Sequence, residues 1–422
     1  MPPDAPPPAV TTRSHHPYRL CESPPGAFAR SPASATPEGV PAPRPLLTAV
    51  AVLALGITLA APRADARPAP LGVQDDRLTS GTVESVPARL RLLQRSGTRV
   101  TRVDVLWSLL APRRPRRPAD PADRAYDFTR LDAVVRGLAQ RRIVPILVVY
   151  SSPAWAAGGR RGPRDSQVNP NAPSPSQFGA VMTALARRYS GRFRPAGEAR
   201  RLPEVRHWEL WNEPNLSGFL RPQFRGGRPV ALRRYVAMTR RAYPAVKRAN
   251  GRAVVIAGVG GPRSSTGRTG TGALRWAQAL ARSSARFDAY SQHVYPAAAP
   301  LERTRAFPAW ATLPQLIDAL DAVRRRRGIP VYITEAGYTT AATPYRDVRV
   351  SRGQQARYLR QVARLPILRS PRIAVVIWFN LQDNSNWPGG LRAAGGRLKP
   401  SHAAFRSFSR ARPLPRSLRR PC

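Results

Sequence analysis

Two glutamates stand where a carboxylate is costly to bury and well placed for chemistry. Glu213 closes the run His207-Trp208-Glu209-Leu210-Trp211-Asn212-Glu213-Pro214-Asn215. The run opens as an apolar and aromatic strand and breaks at Pro214, which has no amide hydrogen for a ladder. Glu335 is framed the same way in Pro330-Val331-Tyr332-Ile333-Thr334-Glu335-Ala336-Gly337. A charge at the exit of a buried strand demands compensation or a chemical role. Two such carboxyls at the carboxyl ends of two parallel-type strands suit cleavage of a glycosidic bond with retention. That reaction needs one protonated and one ionised carboxyl roughly 5 Å apart. Glu213 is expected to be the acid/base, with a pKa raised by Trp211 and Pro214. Glu335 is expected to be the nucleophile, held ionised by a hydrogen bond from Tyr295. Asn212 is expected to bond the sugar 2-hydroxyl.

The surrounding chain supplies elements to position this pair. From Leu71 onward, short apolar strands alternate with amphipathic helices, the pattern of a parallel α/β fold. Strands are expected at Leu71–Gln74, Val100–Trp107, Ile143–Tyr150, around His207–Trp211, at Ala253–Gly258, Asp288–Pro296, around Val331–Glu335, and at Ile373–Asn380. Helices are expected near Val83–Arg95, Phe128–Arg142, Gln177–Tyr189, Ala231–Asn250, Leu274–Leu280, Pro314–Arg327, Ser351–Leu365 and Ala403–Arg410. Eight strand–helix units make a (β/α)8 TIM barrel as one catalytic domain over 67–422. Strands four and seven then face each other across its mouth. The long loop from Ser151 to Ser174 follows strand three on the same side and is expected to shape the site.

On these residues the chain resembles clan A glycoside hydrolases, most closely families 39 and 5. Trp211-Asn212-Glu213-Pro214 on strand four and Ile333-Thr334-Glu335 on strand seven carry the likeness. Arg102, five residues before Trp107, is similar to the strand-two arginine of family 5, and the resemblance implies that it orients the nucleophile. His293-Val294-Tyr295 resembles the strand-six His-x-Tyr pair. Trp378 matches a strand-eight tryptophan that forms a sugar platform. Ser152-Pro153-Ala154-Trp155 resembles the Pro-x-Trp turn of family 39, and Trp155, with Arg102, His293 and Tyr295, is expected to contact the substrate. Tyr150-Ser151 and Ala336-Gly337-Tyr338 depart from the patterns usual in the two families.

Composition sets the remaining bounds. The 422 residues carry a formal charge of +45, with Lys+Arg at 69 against Asp+Glu at 24. The arginines are scattered over every expected helix and form no single basic face, so nucleic acid is not an expected partner. Residues 1–45 are rich in Pro, Ala and Ser and are expected to be a disordered leader. Arg44, followed by an apolar run from Leu46 to Ala61 and by Ala64-Asp65-Ala66, gives residues 46–66 the layout of a secretory signal peptide, with an uncleaved membrane anchor as the lesser option. The run is shorter than the roughly 18 residues of a spanning helix, so no membrane insertion is expected after cleavage. Translation is expected to begin downstream of Met1, near Val40. The mature chain would then keep only Cys422 of the two cysteines, and no cofactor or metal is implied. The expected protein is a secreted retaining glycoside hydrolase acting on a poly- or oligosaccharide. The alternatives are a transglycosylase and a catalytically inactive glycan-binding envelope protein.

Overall fold

The computed structural model describes residues 67–163, 166, 168–343, 348–412, 414, 415 and 418. The expected leader, the signal peptide and both cysteines lie outside them. Eight strands, β1 (Leu71–Val73), β2 (Val100–Leu106), β3 (Val144–Tyr150), β4 (His207–Leu210), β5 (Val254–Gly260), β6 (Ala289–Val294), β7 (Val331–Ala336) and β8 (Ile373–Trp378), form one sheet. The strands pair in parallel, each with its neighbour in sequence from β2 to β8, and β8 returns to β1. Helices α1 (Val86–Ser96), α2 (Thr129–Gln140), α3 (Pro175–Arg188), α4 (Val230–Ala249), α5 (Ala273–Arg282), α6 (Leu313–Asp321), α7 (Arg352–Arg364) and α8 (Pro400–Ala411) follow the strands in turn. This is the expected (β/α)8 barrel.

The seam between β1 and β2 closes through side chains. Thr101 Oγ1 donates to the Val73 carbonyl at 2.7 Å, and the Val73 amide donates to Thr98 Oγ1 at 3.2 Å. Gly72 permits this approach: a Cβ there would lie 2.4 Å from the Val100 carbonyl oxygen and 2.5 Å from Ile377 Cδ1.

Strand alternation sorts the core into two layers. Val100, Val144, Ile146, Ile256, Ala289, Tyr332, Val375 and Ile377 fill the barrel interior. Their strand neighbours, among them Val103, Val105, Val255, Tyr290, Ile333 and Val376, join the larger cluster beneath the helices. Most helix boundaries fall within a few residues of expectation. The sixth helix is shorter than its periodicity suggested. It ends at Asp321, and Arg324–Arg326 form a separate 3-10 turn, where Arg325 and Arg326 are drawn off to carbonyls at the end of α5 and the loop beyond it. The last helix starts earlier, at Pro400, since proline suits a first helical turn.

Candidate active site

β4 leaves the sheet by an unusual route. His207 and Glu209 turn inward, while Trp208 and Leu210 pack outward beneath the helices. Beyond Leu210, Trp211 (φ 69°) and Glu213 (φ 38°) both adopt left-handed backbone conformations. For non-glycine residues each costs about 1–3 kcal/mol, a strain typical of functional sites. The first turn sends the Trp211 indole outward, edge-on to Phe178 at 5.7 Å and donating to the Phe219 carbonyl. Trp211 is therefore a packing residue and does not flank the Glu213 carboxyl as expected. The second turn holds Asn212 and Glu213 together at the mouth.

β7 delivers Glu335 by a register shift. Pairing with β8 slips between Ile333 and Ala336, and β6 pairing slips between Ser291 and His293. Such bulges re-aim side chains. Here Thr334 and Glu335, adjacent in sequence, both reach inward: Thr334 donates to Glu209 Oε1 at 2.7 Å, and Glu335 accepts from Arg102.

Arg102 on β2 ties the site together. Its guanidinium donates from Nε to Glu209 Oε2 at 2.5 Å, from Nη1 to Glu335 Oε1 at 2.6 Å, and from Nη2 to Asn212 Oδ1 at 2.7 Å. Arg102 is 1% exposed and Glu209 is fully enclosed. Burial opposes the charge on Arg102, but Glu209, Glu335 and Asp104 more than offset it, so the guanidinium stays protonated. Asp104, pushed up by burial, contacts the same nitrogen at 3.3 Å and accepts from the Tyr150 hydroxyl at 3.1 Å.

The β6 pair serves both glutamates. His293 stands in register with Glu335 and reaches Glu213 Oε1 from Nδ1 at 2.7 Å. Burial pulls its pKa down, so the ring is neutral at pH 7. Its Nε2 has no hydrogen-bond partner among the described residues. A proton there would be a buried orphan donor, so the proton sits on Nδ1 and His293 donates to Glu213. Tyr295 donates to Glu335 Oε2 at 2.7 Å. The acceptor atoms of Glu213 and Glu335 and the near nitrogen of His293 all lie within 4.8 Å of one another. One carboxylate oxygen of each glutamate is thus within that distance of the other.

Tyr295 donates to Glu335 as expected, and that bond favours the ionised form. Burial nonetheless raises the Glu335 pKa to about 7; Arg102 and the Tyr295 hydroxyl pull it down, and the Glu213 charge adds to the rise.

The two tryptophans fare differently from expectation. Ile377 faces the interior, so strand alternation turns Trp378 outward. Trp378 is 3% exposed, and its indole donates to the Gly389 carbonyl and packs near Tyr338. It offers no face to a sugar. The aromatic wall beside Tyr295 consists of Phe379, at 6.3 Å between rings, and Trp387, at 4.6 Å. Trp155, half-buried, stands edge-on to Trp107 at 5.4 Å and donates to the Ala111 carbonyl. It packs the base of the long loop.

Several site residues carried weak sequence signals. Glu209 lies inside the strand run already singled out, two residues behind an inward His207, and strand alternation alone could have marked it. Asp76, past β1, accepts from Gln74, Asn380 and Asn384. Burial, then Asp104 and Asp75, raise its carboxyl to about 7. The loop after β8 folds inward to make these contacts. It is pinned by Lys399, whose ammonium donates to Asp383 at 2.7 Å and to Thr340 at 2.9 Å.

Comparison with known proteins agrees with this geometry. The description Glycosyl hydrolases family 39 matches residues 94–386. Among solved structures, a family 39 glycoside hydrolase from the gut symbiont Bacteroides cellulosilyticus WH2 is similar over 82% of this chain, with TM-score 0.56 and 20% identity. This chain spans 64% of that protein. A GH39 β-xylosidase from Caulobacter crescentus superposes with TM-score 0.54 at 18% identity, covering 82% of this chain and 72% of its own. A GH5_18 protein from Bifidobacterium longum subsp. infantis gives TM-score 0.54 at 17% identity, covering 82% and 79%. At these identities the likeness is one of fold. No curated protein sequence matches the chain. With a family match over most of its length, this chain belongs to glycosyl hydrolases family 39.

Proposed function

We propose that the enzyme cleaves its carbohydrate substrate with retention, by double displacement, with Glu213 as acid/base and Glu335 as nucleophile. The observation that carries this is that one carboxylate oxygen of Glu213 and one of Glu335 lie within 4.8 Å of each other. So close an approach supports the narrow pair of a retaining enzyme, whose carboxyls stand roughly 5–5.5 Å apart. His293 donates to Glu213 Oε1 and orients the carboxyl that gives up the acid proton. Arg102 and Tyr295 each hold one oxygen of Glu335, fixing its direction of attack and stabilising its charge as it forms. Asn212, clamped through Oδ1 by Arg102, keeps its amide hydrogens for a substrate hydroxyl. Phe379 and Trp387 replace Trp378 as the aromatic surface for the sugar.

The pair works with one proton between its two carboxyls, and their pKa values belong to the pair. The proton must stand on Glu213 when Glu335 attacks. With the upper ionisation near 7, raising pH strips that last proton and leaves two carboxylates with no acid for the leaving group. On aryl glycosides with poor leaving groups, kcat/KM is expected to fall about tenfold per unit above roughly pH 7. The test is a panel of such glycosides, led by β-xylosides and β-glucosides, followed by the pH profile of whichever is cleaved. A profile flat to about pH 9 would contradict the assignment.

The sequence before Arg67 supports export. Protein recovered from the culture medium is expected to begin near that residue, and amino-terminal sequencing checks it. Recovery only from cells with the apolar run intact would argue against secretion. Among the described residues, no helix is long and apolar enough to cross a membrane.

A further inference from the structure

One enclosed cluster has no part in the bond-breaking step. At the corner of β1 and β8, Asp76 Oδ1 accepts from Gln74 Nε2 at 3.1 Å, and Oδ2 accepts from Asn380 Nδ2 at 3.3 Å and Asn384 Nδ2 at 2.9 Å. Gln74 accepts in turn from Arg102 Nη1 at 3.1 Å, the nitrogen that also holds Glu335. Only an amide and a guanidinium therefore separate Asp76 from the nucleophile. Asp76 keeps a partly exposed edge at the mouth.

Asn380 is the telling partner. It is 1% exposed, yet its Oδ1 has no hydrogen-bond partner among the described residues. Against ionised Asp76 the amide cannot be flipped to relieve this, because its oxygen would then face a carboxylate oxygen. A purely structural role, fastening the β8 loop to β1, explains the three bonds to Asp76. It does not explain a buried acceptor left over. A carboxylate has about four acceptor positions, of which three are filled here. The corner thus presents acceptors and asks for donors.

We infer that Asp76 and Asn380 Oδ1 form an acceptor-only subsite that receives hydroxyl groups of the sugar beside the nucleophile and selects neutral sugars over uronic acids. Once Asp76, raised to about 7, is ionised, a hydroxyl can donate to both atoms, whereas a uronate carboxylate can donate to neither and meets like charge. The inference rests on the glycosidase reading above.

The experiment compares wild type with Asp76→Asn at about pH 8, where Asp76 is ionised, on the aryl glycoside that wild type cleaves best, its monodeoxy analogues and the matching uronide. On the parent glycoside, Asp76→Asn is expected to lose roughly 10- to 150-fold in kcat/KM, and no more than about twofold on the analogue lacking the bound hydroxyl, the range for a hydrogen bond to a charged group. The preference of wild type for the neutral glycoside over the uronide should narrow in the variant. Equal losses on parent and all deoxy analogues, or no loss, would overturn the subsite. Should Asp76→Asn fold poorly, wild type alone decides: it must discriminate against one deoxy analogue by a similar factor, and uniform rates overturn the idea. If wild type cleaves no glycoside, the glycosidase reading falls separately. Tryptophan fluorescence titration with glucose, xylose and their deoxy forms then tests the subsite by itself, with weaker sugar binding in Asp76→Asn in its favour and unchanged binding against it.

Discussion

Glu335→Gln is expected to lower kcat on the order of 10⁴-fold or more, the scale of removing a covalent nucleophile, while leaving KM within a few-fold. The amide preserves the size of the side chain and can still accept from Arg102 or Tyr295, so substrate should still bind. What is lost is the lone pair that attacks the anomeric carbon. Glu213→Gln should behave differently. With a leaving group that departs without a proton, its first step stays fast and hydrolysis of the glycosyl-enzyme becomes slow. With a poor leaving group it loses about 10²–10⁴-fold, the value of general acid catalysis. The alanine variants assign the roles chemically. Azide added to Glu213→Ala should give a glycosyl azide of retained configuration, since it attacks the covalent intermediate. Azide added to Glu335→Ala should give the inverted product, since it enters the vacated space and attacks the substrate directly. Exchanged outcomes would reverse the two roles, and Glu335→Gln activity within tenfold of wild type would remove the glutamate from the mechanism.

The sequence made the barrel and its glutamates legible because both depend on local patterns. Apolar runs of strand length alternating with helical periodicity need no knowledge of distant contacts. Asn212-Glu213-Pro214 announces a strand end through proline chemistry alone. Trp378 shows where such reasoning stops. Its position at a strand end was readable, but whether it faced in or out depended on the register of β8, which a one-residue slip inverts. Ile377 in the barrel interior settles it, and Phe379 takes the inward place. Trp211 escapes such reasoning for a similar cause: the left-handed turn that sends it outward follows no propensity of tryptophan. Asp76 was invisible because its partners Asn380 and Asn384 lie some 300 residues away in sequence and meet it only when β8 closes on β1. The rise at Glu335 is likewise a property of enclosure, and no neighbour in sequence signals it.

Arg102→Met is expected to be the most destabilising single change in the site, at about 3–5 kcal/mol, because it strips the cation from a buried ion-pair network. Glu209 is the reason. It is fully enclosed and, among the described residues, keeps only the Thr334 hydroxyl once the guanidinium is gone, so it must hold an uncompensated charge or take up a proton. Arg102→Lys is not conservative here: one ammonium cannot replace a planar fork that reaches Glu209, Glu335 and Asn212 at once. It should retain more stability than the methionine variant and still lose on the order of 10²-fold in kcat, since Glu335 and Asn212 are no longer held in a common plane. The double variant Arg102→Met with Glu209→Gln separates the two roles of the arginine. Removing the orphaned charge should restore part of the stability, a coupling of about 1–3 kcal/mol between residues in contact. Activity should stay low, because the nucleophile remains unheld. Urea unfolding at pH 7 and kcat on one aryl glycoside measure both effects. A methionine variant as stable as wild type, or a double variant no more stable than Arg102→Met, would mean that Glu209 does not depend on Arg102. Recovery of activity alongside stability would mean that Arg102 acts only through the fold.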